Sequence, residues 1–458
     1  MEKDTTKLEQ FRESVYRNFN NRADTLMDLL DALCSNTNAS SVVELSLTPA
    51  FRRSYTALYK GIDEAELAAE AISGLVGSHL SQPERFPFWL LGVDVTSQPR
   101  LFSPTLPDRS MVYQPNQVKG NKPVAVGHQY STVALLPEKE ATIAPWIVPL
   151  ATERVESPAD KELLAAERMD RLLSNPDLPF HDRLCVEVGD TRYSKPAYLA
   201  ANRHHRSLVT VARARSNRTF YRRASQEEGV NKGHPRWYGE RFSLKDPGTW
   251  HPPDETAMTT HISRRGHRYR VEIQAWHNLL MRGKQKPRPI PMHQYPFTLV
   301  RVRWYDIWGR PVHKKALWLI VIGQRRHELA LLDIFEAYMH RSHLEHFFRF
   351  GKQKLLLASF QTPDVEREET WWQLVHLAYA QLWVARSVAQ NLPRPWERYL
   401  PAAKARVMTP TLVQRDFGRI IRQLGTSARA PKPRGYSPGR RKGTRLRRRR
   451  RYKVYVSA

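Results

Sequence analysis

Two apolar runs, each closing on an aspartate, constrain this chain more than any other feature. Residues 86–94 read Phe-Pro-Phe-Trp-Leu-Leu-Gly-Val-Asp, and residues 183–190 read Arg-Leu-Cys-Val-Glu-Val-Gly-Asp. Short runs that are apolar at successive positions predict strands buried on both faces. Each would deliver one carboxylate, Asp94 or Asp190, to the edge of a sheet. Glu187 competes with Asp190, but it lies inside its run and reads as a side-facing or paired residue. Further strands are expected at 127–136, 146–150 and 207–214, with an amphipathic helix at 161–173 and a short helix at 196–205. The chain is therefore α/β.

A third acidic position stands on a helix over residues 338–352. At about 100° per residue, with Tyr338 at zero, Arg341 falls near 300°, Glu345 near 340° and Lys352 near 320°, all rough ideal-helix values. A hydroxyl, two cations and a carboxylate thus share one stripe, while Leu344, Phe347 and Phe348 point elsewhere. A carboxylate between cations is commonly a solvated salt-bridge face. Arginine, however, suits forked contact with phosphate oxygens, and lysine serves as a point charge. Lys352 would sit roughly 10 Å along the axis from Glu345. His340, His343 and His346 drift around the same helix and do not form one ligand face. The chain holds no H-E-x-x-H, paired C-x-x-C or P-loop pattern.

The spacing Y-(2)-R-(3)-E-(6)-K at Tyr338, Arg341, Glu345 and Lys352 resembles the signature of bacterial insertion-sequence transposases of the family-four group, in the DDE superfamily. Asp94-Val-Thr96 is similar to the D-x-T around the first aspartate of such enzymes. The order of three strands, helix, strand, helix, strand resembles a ribonuclease H-like core. After Asp190 the sequence departs from family usage: Thr191-Arg192-Tyr193 stands where a small residue is frequent, which leaves the role of Arg192 open. The resemblance implies that Asp94, Asp190 and Glu345 are the catalytic, metal-binding triad. It implies that Tyr338, Arg341 and Lys352 hold transposon-end phosphates. Such a triad of hard oxygen donors suits Mg²⁺, with Mn²⁺ as substitute. The implied partners are double-stranded DNA, both transposon ends and target, and a second copy of the chain as a homodimer in the DNA complex. The implied activity is cleavage of insertion-sequence ends and joining of their 3′-hydroxyls to target DNA. The alternatives are a ribonuclease H-like nuclease without strand transfer and a catalytically inactive DNA-binding descendant.

The fold expected is a ribonuclease H-like catalytic core interrupted by a β-rich insertion, with a helical N-terminal domain and a basic, disordered C-terminal tail. Residues 1–80 are expected to be helical, either binding transposon ends or capping the core. The core would comprise 81–214 and 331–400, the insertion 215–330, a helical extension 401–428 and the tail 429–458. The insertion follows from length, since about 120 residues are too many for a simple connection. By resemblance, an insertion here presses on the DNA end and can receive a flipped base on an aromatic ring. Trp237, Trp250, Trp276 and Trp304 are the candidates, each weighed against plain core packing. Arg264, Arg265, Arg268 and Arg270 make a plausible phosphate-facing edge.

Charge points the same way. The formal charge is +28 over 458 residues and the pI is about 10.2, which favours nucleic acid as partner. The tail holds thirteen Lys/Arg and no Asp or Glu, so the remaining residues still carry +15. Its cluster of Arg447, Arg448, Arg449, Arg450 and Arg451 reads as a DNA-binding arm rather than an inert solvated tail. Two cysteines, Cys34 and Cys185, form no disulfide framework and suit a reducing cytoplasm, with the protein associated with the nucleoid. No signal-peptide pattern opens the chain, and its longest apolar runs fall short of the ~18 residues a membrane helix needs.

Overall fold

The computed structural model describes residues 2–67, 71–114, 123–138, 145–157, 161–224, 236–263, 266–283, 289–394, 396–397, 408–433 and 449–455. Four helices lead the chain: α1 (Glu2–Arg17), α2 (Ala23–Cys34), α3 (Tyr55–Glu64) and α4 (Ala71–Gly77). The first half then supplies β1 (Trp89–Pro99), β2 (Ser110–Tyr113), β3 (Val124–Leu135), β4 (Val148–Arg154), α5 (Lys161–Ser174), β5 (Cys185–Gly189), α6 (Pro196–Ala201) and β6 (Leu208–Arg213). Next come β7 (Thr219–Arg223), β8 (Tyr238–Ser243), β9 (Glu255–Ile262), β10 (Arg268–Leu279), β11 (Phe297–Tyr305) and β12 (Leu317–Ile322). Helices α7 (Leu331–Met339), α8 (His343–Lys354), α9 (Val365–Ala385) and α10 (Pro410–Leu424) complete it.

β4, β3, β1, β5 and β6 lie side by side in that order, β1 antiparallel to β3 and parallel to β5, which is parallel to β6. This is the strand arrangement of a ribonuclease H-like core. The two strands meet their aspartates differently. β5 ends one residue before Asp190, whereas β1 runs five residues past Asp94, so Asp94 sits within a strand and not at its end. The continuation is legible in the burial pattern, since Thr96 and Gln98 are buried in alternation with half-buried neighbours.

The inserted strands form no separate sheet. β12 pairs antiparallel with β6, Val321 opposite Val211, and β11, β10 and β9 follow in an antiparallel meander. The result is one ten-stranded sheet, with β7 and β8 as a two-stranded ribbon beside it. Val271, Ile273, Leu299 and Val300 join the same apolar cluster as Val93 and Val188.

The N-terminal helices pack against α9. Leu8, Phe11 and Val15 line one face of α1 and are buried, at the i, i+3, i+7 spacing of a helix stripe. α2 is buried on nearly all sides, so its acids need partners: Arg12 pairs with Asp31, and Arg52 and Arg53 converge on Asp28. Gln381 of α9 also donates to Asp31, at 3.3 Å. α9 itself is buried from Trp371 to Ala385. Among the described residues no helix is long and apolar enough to cross a membrane.

Two expectations need correction. The stretch 338–352 is not one α-helix: α7 stops at Met339, and a 3-10 turn over His340–Ser342 joins it to α8. Backbone angles at Met339, His340, Ser342 and His343 stay near helical values, such as φ −67°, ψ −16° at His340, so helical periodicity gave no warning. The tail is not wholly disordered either. Arg449 pairs with Asp364 at 3.0 Å, the Tyr455 amide donates to the Arg109 carbonyl, and Tyr455 bridges Ser110 of β2 in parallel. An open strand edge offers unpaired backbone groups, which even a basic segment can satisfy. Arg447 and Arg448 lie outside the described residues, as do Arg264 and Arg265.

Candidate active site

Asp94 and Asp190 owe their meeting to register. β1 and β5 pair with a constant offset, Trp89 with Cys185 and Gly92 with Val188. Continued two residues, that register sets Asp94 beside Asp190 on neighbouring strands, about 4.8 Å apart in the hydrogen-bonding direction. Aligned positions of parallel strands direct their side chains to the same face. Asp190 is then fixed as the cap of a 3-10 turn over Thr191–Ser194, its Oδ1 accepting the Arg192 amide at 2.8 Å. The part of Arg192 visible here is thus its backbone N–H, which helps orient the acid. Gly189 makes the turn possible. A Cβ there would meet Tyr193 at 2.8 Å, so the fold back over the strand end tolerates no side chain.

Glu187, the competing acid, is buried and accepts from the Tyr198 hydroxyl and from Thr210 Oγ1, the latter at 3.1 Å. It is a paired interior carboxylate, three residues before Asp190 and so of the opposite parity along the strand.

The helical side reaches the strands through Arg341. Its guanidinium lies 3.5 Å from Asp94 Oδ2 and 3.3 Å from Glu345 Oε1. Arg341 therefore stands between the first and third acids. Burial raises the Asp94 carboxyl to about 6; Arg341 and the Val95 amide act against that, while Asp190 and Glu345 add to it. Three carboxylates oppose one another here, and a single guanidinium offsets part of the repulsion. Their donor atoms do not close to within 4.8 Å of one another as a set. Glu345 keeps 57 % of its side chain exposed, against 20 % for Asp94, so it is the acid with room to move.

Lys352 reaches β1 in this structure. Its Nζ donates to Thr96 Oγ1 at 2.8 Å and to the Ser97 carbonyl at 2.9 Å. It ties the end of α8 to β1 just beyond Asp94, and burial lowers its pKa. Tyr338 is buried to 8 % exposure, with its hydroxyl pKa raised by that burial and opposed by Arg341 and Arg213. The 3-10 turn eclipses side chains three apart, which sets Arg341 against Tyr338. His340 and His343 face each other, Nδ1 to Nδ1 3.3 Å, and burial pushes His340 down to about 4.

A groove of about 410 Å³ adjoins the acids, lined by Arg213, Trp304, His313, Lys315, Tyr338 and Arg341. It combines cations with aromatic faces, a lining suited to phosphate and base. Of the four tryptophans singled out above, Trp304 lies in this groove. Trp276 is buried with its Nε1 donating to the His251 carbonyl, and Trp250 donates to Ser243. Trp237 stacks on His293 at 3.6 Å. Sequence reasoning missed Trp308 and Ile307, each more than 70 % exposed at the tip between β11 and β12, with Arg310 over the Trp308 ring. A tight turn closed on Asp306 by the amides of Trp308 and Arg310 holds them outward. The Asp-x-x-Gly turn over 306–309 was the available signal.

Residues 14–282 match the family model described as DDE superfamily endonuclease. The chain belongs to the DDE superfamily. No curated protein matches it. The match runs from α1 through β10 and contains Asp94 and Asp190, while Glu345 lies beyond its end. DDE nucleases act on DNA and use divalent metal ions, and the site fits such ions in kind. Asp94 and Asp190 offer hard oxygen donors on adjacent strands, beside a third acid held by a displaceable guanidinium.

Proposed function

We propose that this DDE endonuclease is an insertion-sequence transposase that cleaves transposon ends and joins their 3′-hydroxyls to target DNA, acting as a homodimer on paired ends. The observation that carries the reading is Arg341 linking Asp94 on β1 to Glu345 on α8, which brings the signature stripe to the strand acids. Asp94, Asp190 and Glu345 would hold Mg²⁺, with Mn²⁺ as substitute. Bound there, the ions supply activation of a water or 3′-hydroxyl and neutralise the leaving 3′-oxygen. In each step one P–O bond forms and one breaks at the same phosphorus, so the bond count is unchanged.

The chain's own groups then divide the remaining work. Asp190, capped by the Arg192 amide, is the fixed donor, and Glu345 is the mobile one. Arg341 would exchange its carboxylate partners for phosphate oxygens as DNA enters, and Tyr338 would flank it. Arg213 and Lys315 would follow the backbone through the adjoining groove, with Trp304 available to stack on a displaced base. Lys352 serves this site by positioning β1.

Replacement of Arg341 by alanine is expected to slow cleavage of pre-bound ends by about 100-fold, the scale of losing one preorganised charge at a phosphoryl centre. End binding, measured by fluorescence anisotropy, should weaken far less. Equal losses in binding and cleavage would mean that Arg341 only adds affinity.

The arginine cluster predicts the opposite pattern. Changing Arg447, Arg448, Arg449, Arg450 and Arg451 to glutamine should weaken binding to end and random duplexes by similar factors and flatten the salt dependence. Arg449 should count least, because Asp364 already neutralises it. A salt series on both duplexes checks this, and a loss confined to end DNA would make the segment a recognition element instead.

A nuclease without strand transfer is the second reading, and both share the acidic site. An assay offering a pre-cleaved end with a free 3′-hydroxyl and a supercoiled target separates them. Joined product supports the transposase; hydrolysis alone supports the nuclease.

A further inference from the structure

Between α5 and the loop that follows α6, Asp170, His204 and His205 gather their donor atoms within 4.8 Å of one another, the one such trio among the described residues. We propose that this trio is a second metal site, selective for a transition ion of the Zn²⁺ and Co²⁺ type and distinct from the carboxylate site. Both imidazole Nε2 atoms lie 2.7 Å from a single oxygen, Asp170 Oδ1. The two rings, neighbours in sequence, have centroids 4.2 Å apart and tilt by 41°. They converge on one point instead of splaying to opposite sides of the chain.

The convergence is built by more than the trio itself. One stripe of α5 grips the α6 segment at successive turns. Glu162 pairs with Lys195 at 3.0 Å, the Ala166 carbonyl accepts from Asn202 Nδ2 at 2.9 Å, and Asp170 receives the histidines. Positions 162, 166 and 170 are four apart and share a helix face. Backbone bonds from His205 to Asn202 and from Leu208 to His205 fix the loop that carries both rings. The ligands are therefore held before any ion arrives, which lowers the ordering cost of binding.

The donor set decides the ion. Two imidazoles and one carboxylate suit Zn²⁺, Co²⁺ or Ni²⁺, whereas Mg²⁺ prefers oxygen donors and retains its waters. Zn–N bonds of about 2.0–2.1 Å in a tetrahedron place donors roughly 3.3 Å apart. The present 2.7 Å contacts need to open by only about 0.6 Å for an ion to replace the hydrogen bonds. His204 is 59 % and Asp170 42 % exposed, while His205 is only 14 % exposed, so the site has an entry path and an open position for water. Each imidazole would bind as the neutral Nδ1–H tautomer, releasing the Nε2 proton that now faces the carboxylate or moving it to Nδ1. The consequence lies close to the catalytic acids, because α6 follows directly on the turn that Asp190 caps. An ion here would staple α5 to that turn.

The test uses the full chain without a histidine tag, saturated with Mg²⁺ and titrated with Co²⁺. Expected are visible d–d bands of a low-coordinate Co²⁺ site at one equivalent and a higher melting temperature. Affinity should fall at least tenfold in His204→Ala and in His205→Ala, and remain unchanged in Asp94→Asn. Bands that persist in His204→Ala/Asp170→Asn, or that Mg²⁺ removes, would overturn the proposal. So would a trio that acts as an ion pair only, its variants changing the melting temperature while Co²⁺ never binds. His204→Gln, at the most exposed ligand, keeps the test open should the alanine variants fail to fold.

Discussion

Asp94→Asn, Asp190→Asn and Glu345→Gln should each lower DNA cleavage by about three orders of magnitude or more while leaving end binding within a few fold. Each change keeps the side-chain shape and removes one anionic oxygen donor. Binding relies on cations that the substitutions do not touch. The variants should differ in stability in a way that identifies the site. Asp94 is largely buried beside two other acids, and both burial and those neighbours oppose its charge. Asparagine removes that cost, so Asp94→Asn should melt no lower than the wild type although Arg341 loses a partner. Glu345→Gln should be nearly neutral, since a half-exposed ion pair contributes little. Radiolabelled end cleavage in Mg²⁺ and Mn²⁺, with melting curves on the same preparations, decides the matter. Wild-type cleavage in any one variant would remove that residue from the catalytic set, and a large drop in melting temperature would reassign it to folding.

The parts of this site that were legible in sequence are those fixed locally. An apolar run ending in Val-Gly-Asp specifies a buried strand followed by a turn, and Asp190 lies there. Asp94 was legible as an acid on an apolar strand, but β1 continues past it because β3 supplies partners as far as Gly127, and periodicity does not reveal a partner strand. The stripe of Arg341 and Glu345 survived the 3-10 turn because that turn shifts side chains by only part of a residue step. What stayed hidden depends on residues far apart in the chain. Lys352 reads as a free cation until Thr96 and Ser97 are seen across from it. The inserted strands read as a separate body until β12 is paired with β6, more than a hundred residues earlier. The docking of Tyr455 on β2 joins segments separated by about three quarters of the chain. His204 and His205 form no pattern in sequence by themselves, because their third partner, Asp170, belongs to another helix.

The largest effect on stability is expected away from the acids, at Glu368. This carboxylate is fully buried on α9, yet three side chains serve it through four contacts. Arg100 donates through Nε at 2.7 Å and lies within 2.6 Å through its other nitrogen, His128 approaches at 2.8 Å, and the Tyr130 hydroxyl donates at 2.9 Å. Arg100 follows directly on β1, and His128 and Tyr130 belong to β3, so one charge joins the strand of Asp94 to its neighbour and to the helix that also carries α1 and α2. The hydrogen bond from His128 and the charge of Arg100 overcome desolvation and hold the Glu368 carboxyl below its ordinary range. Arg100→Met would leave that charge buried with its main partner gone, at a cost of about 3–5 kcal/mol. Glu368→Gln would leave Arg100 in the same position. The pH dependence follows from the sign of the shift. A carboxyl depressed in the folded state contributes its stability above the unfolded value, and that contribution disappears as pH falls through the folded value. Urea unfolding at pH 7 and at pH 4 should therefore show a large gap between wild type and Glu368→Gln at neutral pH and a narrower gap in acid. A gap of the same size at both pH values would mean that the charge is not what holds β1, β3 and α9 together, and that packing around Tyr130 and Trp372, stacked at 3.7 Å, does so instead.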